Sequence, residues 1–239
     1  MQIEQGVISM KQRALAYLEK DFLSNAAMIE IINRNTAEII QADEQGVFLK
    51  EATGKAYMIS TDTFEKAVAW LEQKSDITLI QSVDQKVSHW LKEHKYLNSY
   101  MECFQVVYSL KKKIDYSAQL QIRKLKEEEL CIVQKNYDKI SKEELREIYN
   151  RGNLYVGIFQ GQIIGFIGNH LEGSIGLLEV LKNYRKKGFA TELQSYMINH
   201  VLEQGGIPYA QVEIDNLNSL NLQQKLGMKI AQKKIYWNF

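Results

Sequence analysis

Strand-like runs alternate with amphipathic helical stretches along this chain, and short connectors join them, which points to an α/β fold with a mixed (α+β) sheet. Pro208 is the only proline, so the elements are punctuated by glycine, asparagine, aspartate and clusters of charge. Apolar residues at helical spacing (Ala14, Leu15, Leu18, Phe22, then Met28, Ile31, Ile32) predict one or two helices over Met10–Asn33. Strands follow at Ile39–Ile40, Val47–Leu49 and Tyr57–Ile59. Asp62 is placed to cap a helix whose stripe is Phe64, Val68 and Leu71. Ile77–Ile80 reads as a strand, Val83–Leu91 as a helix and Tyr100–Leu110 as a long strand. Lys111–Lys113 reads as a solvated linker.

The pattern then restarts. Leu120–Ile122 is a strand, and Glu127–Tyr137 and Ser141–Tyr149 are helical, the second opened by a capping box of Ser141 and Glu144. Leu154–Phe159 and Ile163–Ile167 form a hairpin around Gln160-Gly161-Gln162. Strands at Ile175–Val180, Tyr209–Ile214 and Ile230–Trp237 alternate with helices at Thr191–Glu203 and Ser219–Leu226. The expected division is an N-terminal α/β domain over 1–113 and a second domain over 118–239, and the similar density of elements leaves room for a structural duplication.

Positive and negative side chains nearly cancel, at a net charge of +1, so no global field points to nucleic acid or an anionic membrane. Met1–Gln5 lacks the features of a signal peptide, and no apolar run approaches the ~18 residues of a membrane span. Cys103 and Cys131 read as small buried hydrophobes in a reducing, cytoplasmic setting. No metal-ligand spacing and no Ser/His/Asp set stands out.

Phosphate recognition therefore has to be local, and one segment is suited to it. After the strand ending at Val180, Arg185-Lys186-Lys187-Gly188-Phe189-Ala190 opens a helix. A helix N-terminus presents unpaired amides and partial positive charge, Gly188 permits close approach, and the basic residues add charge-assisted donors. The spacing matches neither a Walker loop nor a three-glycine dinucleotide fingerprint.

Arg185-x-x-Gly188-x-Ala190 between strand and helix resembles the acetyl-CoA motif of the GCN5-related N-acetyltransferase (GNAT) family. Asn216-x-x-Ser219 followed by Lys225-Leu226-Gly227-Met228 resembles that family's closing motif, with Met228 in place of phenylalanine, and the run from Ser219 looks closer to the glycine N-acyltransferase and FR47-like branch. The resemblance covers roughly Leu120 to Phe239 and implies a GNAT fold there, leaving open an N-terminal α/β domain that is a degenerate GNAT-like half. It implies acetyl-CoA as co-substrate and transfer of a short acyl group to a primary amine, either a small molecule or a protein or peptide N-terminus, by direct attack in a ternary complex. Leu178 and Val180 would lend backbone groups to the pantetheine arm. Lys186, Lys187, Gly188, Phe189, Ala190 and Thr191 would hold the pyrophosphate, with Arg185 supporting the loop. Asn216 and Ser219 would face the arm's far side. No metal is implied, and a homodimer is compatible.

Three positions depart from the family pattern. Lys182 replaces a proline, Gly176 stands where a carboxylate or histidine is usual, and Gln223 stands where a tyrosine usually protonates the leaving thiolate. Glutamine is no general acid at ordinary pH. Glu179, beside the end of the cofactor strand, is the first choice of base, with Glu213, a water relay and His170 behind it. The alternative is a non-catalytic acyl-CoA-binding or sensor protein.

Overall fold

The computed structural model describes residues 9–239, so the reading of Met1–Gln5 lies outside the described residues. The chain forms two compact units, one of residues up to Gln105 together with Ala231–Phe239, the other of Val106–Ile230.

In the first unit the predicted helical segment is split into α1 (Met10–Leu18) and α2 (Phe22–Asn33) by a turn of 3-10 helix. The break has a local cause: the Asp21 carboxylate accepts from the Ser24 amide at 3.3 Å and starts α2 afresh. Then β1 (Ala37–Asp43), β2 (Gly46–Glu51) and β3 (Tyr57–Thr61) form an antiparallel meander. The crossover helix α3 (Phe64–Leu71) leads to β4 (Ile80–Ser82), which lies parallel to β3. After α4 (Gln85–Lys95) comes β5 (Tyr100–Val107), whose first six residues belong to this unit. Phe48, Tyr57, Ile59, Leu71, Ile80 and Leu91 are central to its core.

Three sequence expectations shift. Thr63, not Asp62, caps α3 by accepting from the Lys66 amide, because the Asp62 carboxylate is taken by the Tyr17 hydroxyl at 3.0 Å. The strand expected at Ile77–Ile80 begins only at Ile80, since Ile77 packs into the core from the preceding bend. Cys103 is buried as expected, but Cys131 is exposed on a helix surface.

The second unit carries β6 (Gln121–Lys124), α5 (Leu130–Asn136), α6 (Lys142–Asn150), β7 (Leu154–Phe159), β8 (Gln162–Asn169) and β9 (Ile175–Val180). These strands make a four-stranded antiparallel sheet in the order β6-β7-β8-β9, with β9 at its edge. Apolar residues of α5 and α6 (Leu130, Val133, Leu145, Ile148) pack with Val156, Phe166 and Leu177 on one face. The long helix α7 (Phe189–Glu203) packs beside β8 and β9, close enough to Gly157 that a methyl there would meet Leu193 Cδ2 at 3.1 Å. Buried Glu192 on α7 accepts from the amides of Gln119 and Leu120 at 2.9 and 2.7 Å, fixing the lead into β6. The unit continues with β10 (Tyr209–Glu213) and α8 (Leu217–Lys225). Finally β11 (Lys229–Asn238) returns to the first unit at Ala231 and pairs antiparallel with β4 through Tyr236–Asn238.

Candidate active site

The site is built on β9. Its register against β8 runs Val180 opposite Gly165 and Glu179 opposite Phe166, then resumes with Gly176 opposite Gly168. Leu177 and Leu178 thus share the single residue Ile167 as partner, which is a β-bulge. Leu177 adopts φ +50°, a left-handed conformation costly for a branched side chain. Its side chain is buried among the apolar residues of α5 and α6, and that packing holds the strained turn in place. On the side away from β8, β9 has no partner within its sheet, and β10, which runs close by, is not a strand of that sheet. The strands therefore separate.

Between β9 and β10 lies a cleft of about 250 Å³. Gly176 to Glu179 line one side and Ala210 to Glu213 the other. Asn216, Ser219 and Gln223 of α8, Gln194 of α7, Tyr137 and His170 complete it. Leu178, Glu179, Asn216 and Ser219 from the sequence reading meet here, whereas Val180 and Arg185–Thr191 lie outside the lining. Asn216 also caps α8, its Oδ1 accepting from the Ser219 amide at 3.1 Å.

The loop after β9 is held by Arg185, whose Nε donates to Val180 O at 2.9 Å and whose Nη2 donates to Glu179 Oε1 at 2.6 Å. The guanidinium thus braces the loop against the strand it leaves. Lys186 (φ +62°) and Gly188 (φ +88°) both turn left-handed there. Gly188 is the N-cap of α7 with no side-chain cap, so the first amides of that helix have no capping side chain. A methyl built on Gly188 would meet nothing within 4 Å, so the approach to those amides is open. Lys186, Lys187 and Gly188 are exposed, and Lys187 Nζ sits 5.6 Å from the Tyr184 ring centroid. The Phe189 side chain is buried against Phe159, which leaves only its backbone for a ligand; Ala190 and Thr191 are half-buried on the first turn.

Gln194 and Tyr137 carried no sequence signal, because only the fold brings them in, whereas Gln223 was marked by its place in the closing motif. The Gln194 Nε2 and Gln223 Oε1 atoms are buried and without a hydrogen-bond partner among the described residues. The Tyr137 phenol is pushed up to about 12, first by burial and then by the charges of Glu144, Glu213 and Asp138, with the Leu177 amide pulling the other way. It therefore stays protonated at neutral pH. Of the carboxylates, Glu213 is ion-paired with Lys139 and Glu179 with Arg185. His170 lies 3.8 Å through Nδ1 from Glu144 Oε1. That contact also accounts for an incomplete capping box on α6: Ser141 Oγ accepts from the Glu144 amide at 3.0 Å, while the Glu144 carboxylate turns towards the histidine. Among the described residues no cluster of His, Cys, Asp and Glu could hold a metal ion, and no helix is long and apolar enough to cross a membrane.

Residues 155–238 match the family model described as FR47-like protein. A comparison with curated proteins finds no match. Among solved structures, a Drosophila protein superposes with a TM-score of 0.63 at 17% identity, over 99% of this chain and 92% of that one. A GCN5-related N-acetyltransferase-like protein from Streptococcus suis gives 0.55 at 14% identity, over 97% of this chain and 99% of its own. An acetyltransferase of the GNAT family from Colwellia psychrerythraea gives 0.51 at 12% identity, over 95% and 97%. At these identities the likeness is one of fold, and it extends over nearly the whole chain.

Proposed function

We propose that this protein moves an acetyl or other short acyl group from coenzyme A to a primary amine, a reading supported by the match of residues 155–238 to the FR47-like family model and by the likeness of the fold to GCN5-related N-acetyltransferase-like proteins. The observation that carries the proposal is the cleft between β9 and β10, at which the bulge of Leu177–Leu178 turns backbone groups out of the β8 ladder. An acyl carrier with a peptide-like arm would find open strand edges there, as an added strand does. Gln194 Nε2 can donate to an amide carbonyl and Gln223 Oε1 can accept from an amide N–H, so the buried orphans suit an arm that contains amides. The uncapped amides of α7 and the exposed Lys186 and Lys187 suit a diphosphate, with Gly188 leaving room for it.

The residues divide the work accordingly. Backbone groups of Leu178 and Val180, with Asn216 and Ser219 opposite, would orient the arm. Residues 186–191 would hold the phosphates, while Arg185 acts through the loop it braces. A freed backbone amide at the bulge would stabilise negative charge growing on the acyl oxygen. Tyr137, held protonated, is able to donate to the departing sulfur. The acceptor would be a small amine or a peptide N-terminus, whose ammonium the carboxylates of the lining (Asp138, Glu179, Glu213) attract.

Calorimetry with coenzyme A, followed by thiol release from acetyl-CoA across a panel of primary amines, tests this. Gly188→Glu is expected to abolish binding and release together, because it sets a carboxylate where the phosphates belong. Absence of binding heat with the unaltered protein would sink the proposal, and tight binding without turnover on any amine would identify an acyl-CoA sensor instead.

A further inference from the structure

Resting on that reading of the cleft, we propose that His170 is the group that accepts the amine's proton, with Glu144 as its positioning residue. A methyl built on Gly176 would stand 2.4 Å from His170 Nε2 and 2.5 Å from its Cδ2. The imidazole therefore fills the volume that a side chain of residue 176 would occupy, one residue before the bulge. The turn between β8 and β9 delivers to this strand position a group that the strand itself lacks. Gly176 has no side chain because His170 needs the room.

The ring is held, not adrift. Its own turn is closed by His170 N to Ser174 O and Gly173 N to His170 O, both at 2.9 Å, and by Asn169 Nδ2 to Gly173 O at 3.0 Å. With Nδ1 towards Glu144, the Nε2 edge faces Gly176 and the cleft that both residues line. Of the three lining carboxylates, Glu179 is engaged by Arg185 and Glu213 by Lys139, which leaves Asp138, on the same lining as the imidazole, as the other candidate. In the step, one ammonium proton passes to Nε2 and the freed nitrogen bonds to the acyl carbon. The carbon–sulfur bond then breaks, and the second proton leaves nitrogen and ends on sulfur.

Burial disfavours the imidazolium, but Glu144 on α6 and Glu172 in the same turn outweigh it, so the His170 pKa lies above its ordinary value. Of the other titratable groups on the cleft, Tyr137 is neutral, Glu213 is paired with Lys139, Glu179 is paired with Arg185, and Asp138 lies next to Tyr137 on the same rim. A base must be unprotonated, so kcat is expected to rise with pH through the raised His170 pKa.

The test uses the full chain, acetyl-CoA, and ethylamine at high concentration alongside the amine panel. His170→Gln should retain coenzyme A binding by calorimetry and lose about 100-fold in kcat along with the acidic limb. Glu144→Gln should move that limb to lower pH, because it removes charge that favours the imidazolium. Gly176→Ala, which pushes the ring aside without touching it chemically, should lower kcat at unchanged affinity for coenzyme A. An unaltered kcat and pH profile in His170→Gln overturns the assignment, as does an unaltered chain that binds coenzyme A yet releases thiol with no amine. Failure of the unaltered chain to bind coenzyme A overturns the reading of the cleft instead.

Discussion

Glycines 165 and 188 are small for opposite reasons, and substitution separates them. Gly165 lies opposite Val180, and a methyl there would come within 2.5 Å of the Glu179 carbonyl oxygen, a backbone atom that cannot step aside. Gly188 has open space but a φ of +88°. Gly165→Ala should therefore cost about 2–3 kcal/mol through overpacking, and Gly188→Ala about 1–2 kcal/mol through backbone conformation alone. Urea unfolding of the two variants checks the order; equal losses would contradict it. At this scale the sequence was readable where the chemistry is local. The helix start after Arg185 follows from its neighbours, and in the structure Gly188 is the N-cap of α7. Gly176 read only as a missing side chain, because its exchange with His170 depends on a turn whose geometry six residues of sequence do not reveal. Tyr137 and Gln194 reach the cleft from different elements, so no spacing could announce them, whereas Gln223 stands within the closing motif.

Elements were legible in kind more than in bounds. Helix and strand types follow from periodicity, but Thr63 replaces Asp62 as a cap and β4 begins at Ile80, because side-chain partners elsewhere in the fold decide both. The bulge in β9 carried no mark at all, since leucine is among the residues least suited to φ +50°. Ser141 caps α6 without a reciprocal bond from Glu144, so Ser141→Ala should cost about 1 kcal/mol in thermal unfolding. Arg123 of β6 holds Glu129 at the start of α5 through two bonds of 2.8 and 2.5 Å, and this side-chain pairing holds the Glu129 carboxyl below its usual range. A depressed folded pKa contributes stability above the unfolded value of about 4.3, and that contribution fades as pH falls through the folded value. Glu129→Gln should thus be less stable than the unaltered protein at pH 7, with the gap closing on acidification; a gap constant with pH would refute the pairing.

At the scale of the molecule, β11 belongs with residues that precede it by more than half the chain. Ala231, Ile235, Tyr236 and Trp237 are buried, and β4 takes its antiparallel partner from this strand. A chain stopped at Ile230 should lose hydrogen-exchange protection at the amides of β3 and β4 while β7 and β8 keep theirs. Uniform loss across both sets would mean that the units do not behave separately. The sequence placed the boundary between halves near Lys111, as a single cut. A return of the chain cannot be read from composition, because β11 looks like any other strand until its partner is known.

That return has a consequence for synthesis on the ribosome. The unit translated first cannot be finished first: until residues 231–239 emerge, β4 waits with one edge bare, while everything needed for residues 106–230 is already out. Birth order and completion order are reversed, and the nascent chain's most adhesive moment falls late, when the unit of residues 106–230 has already closed.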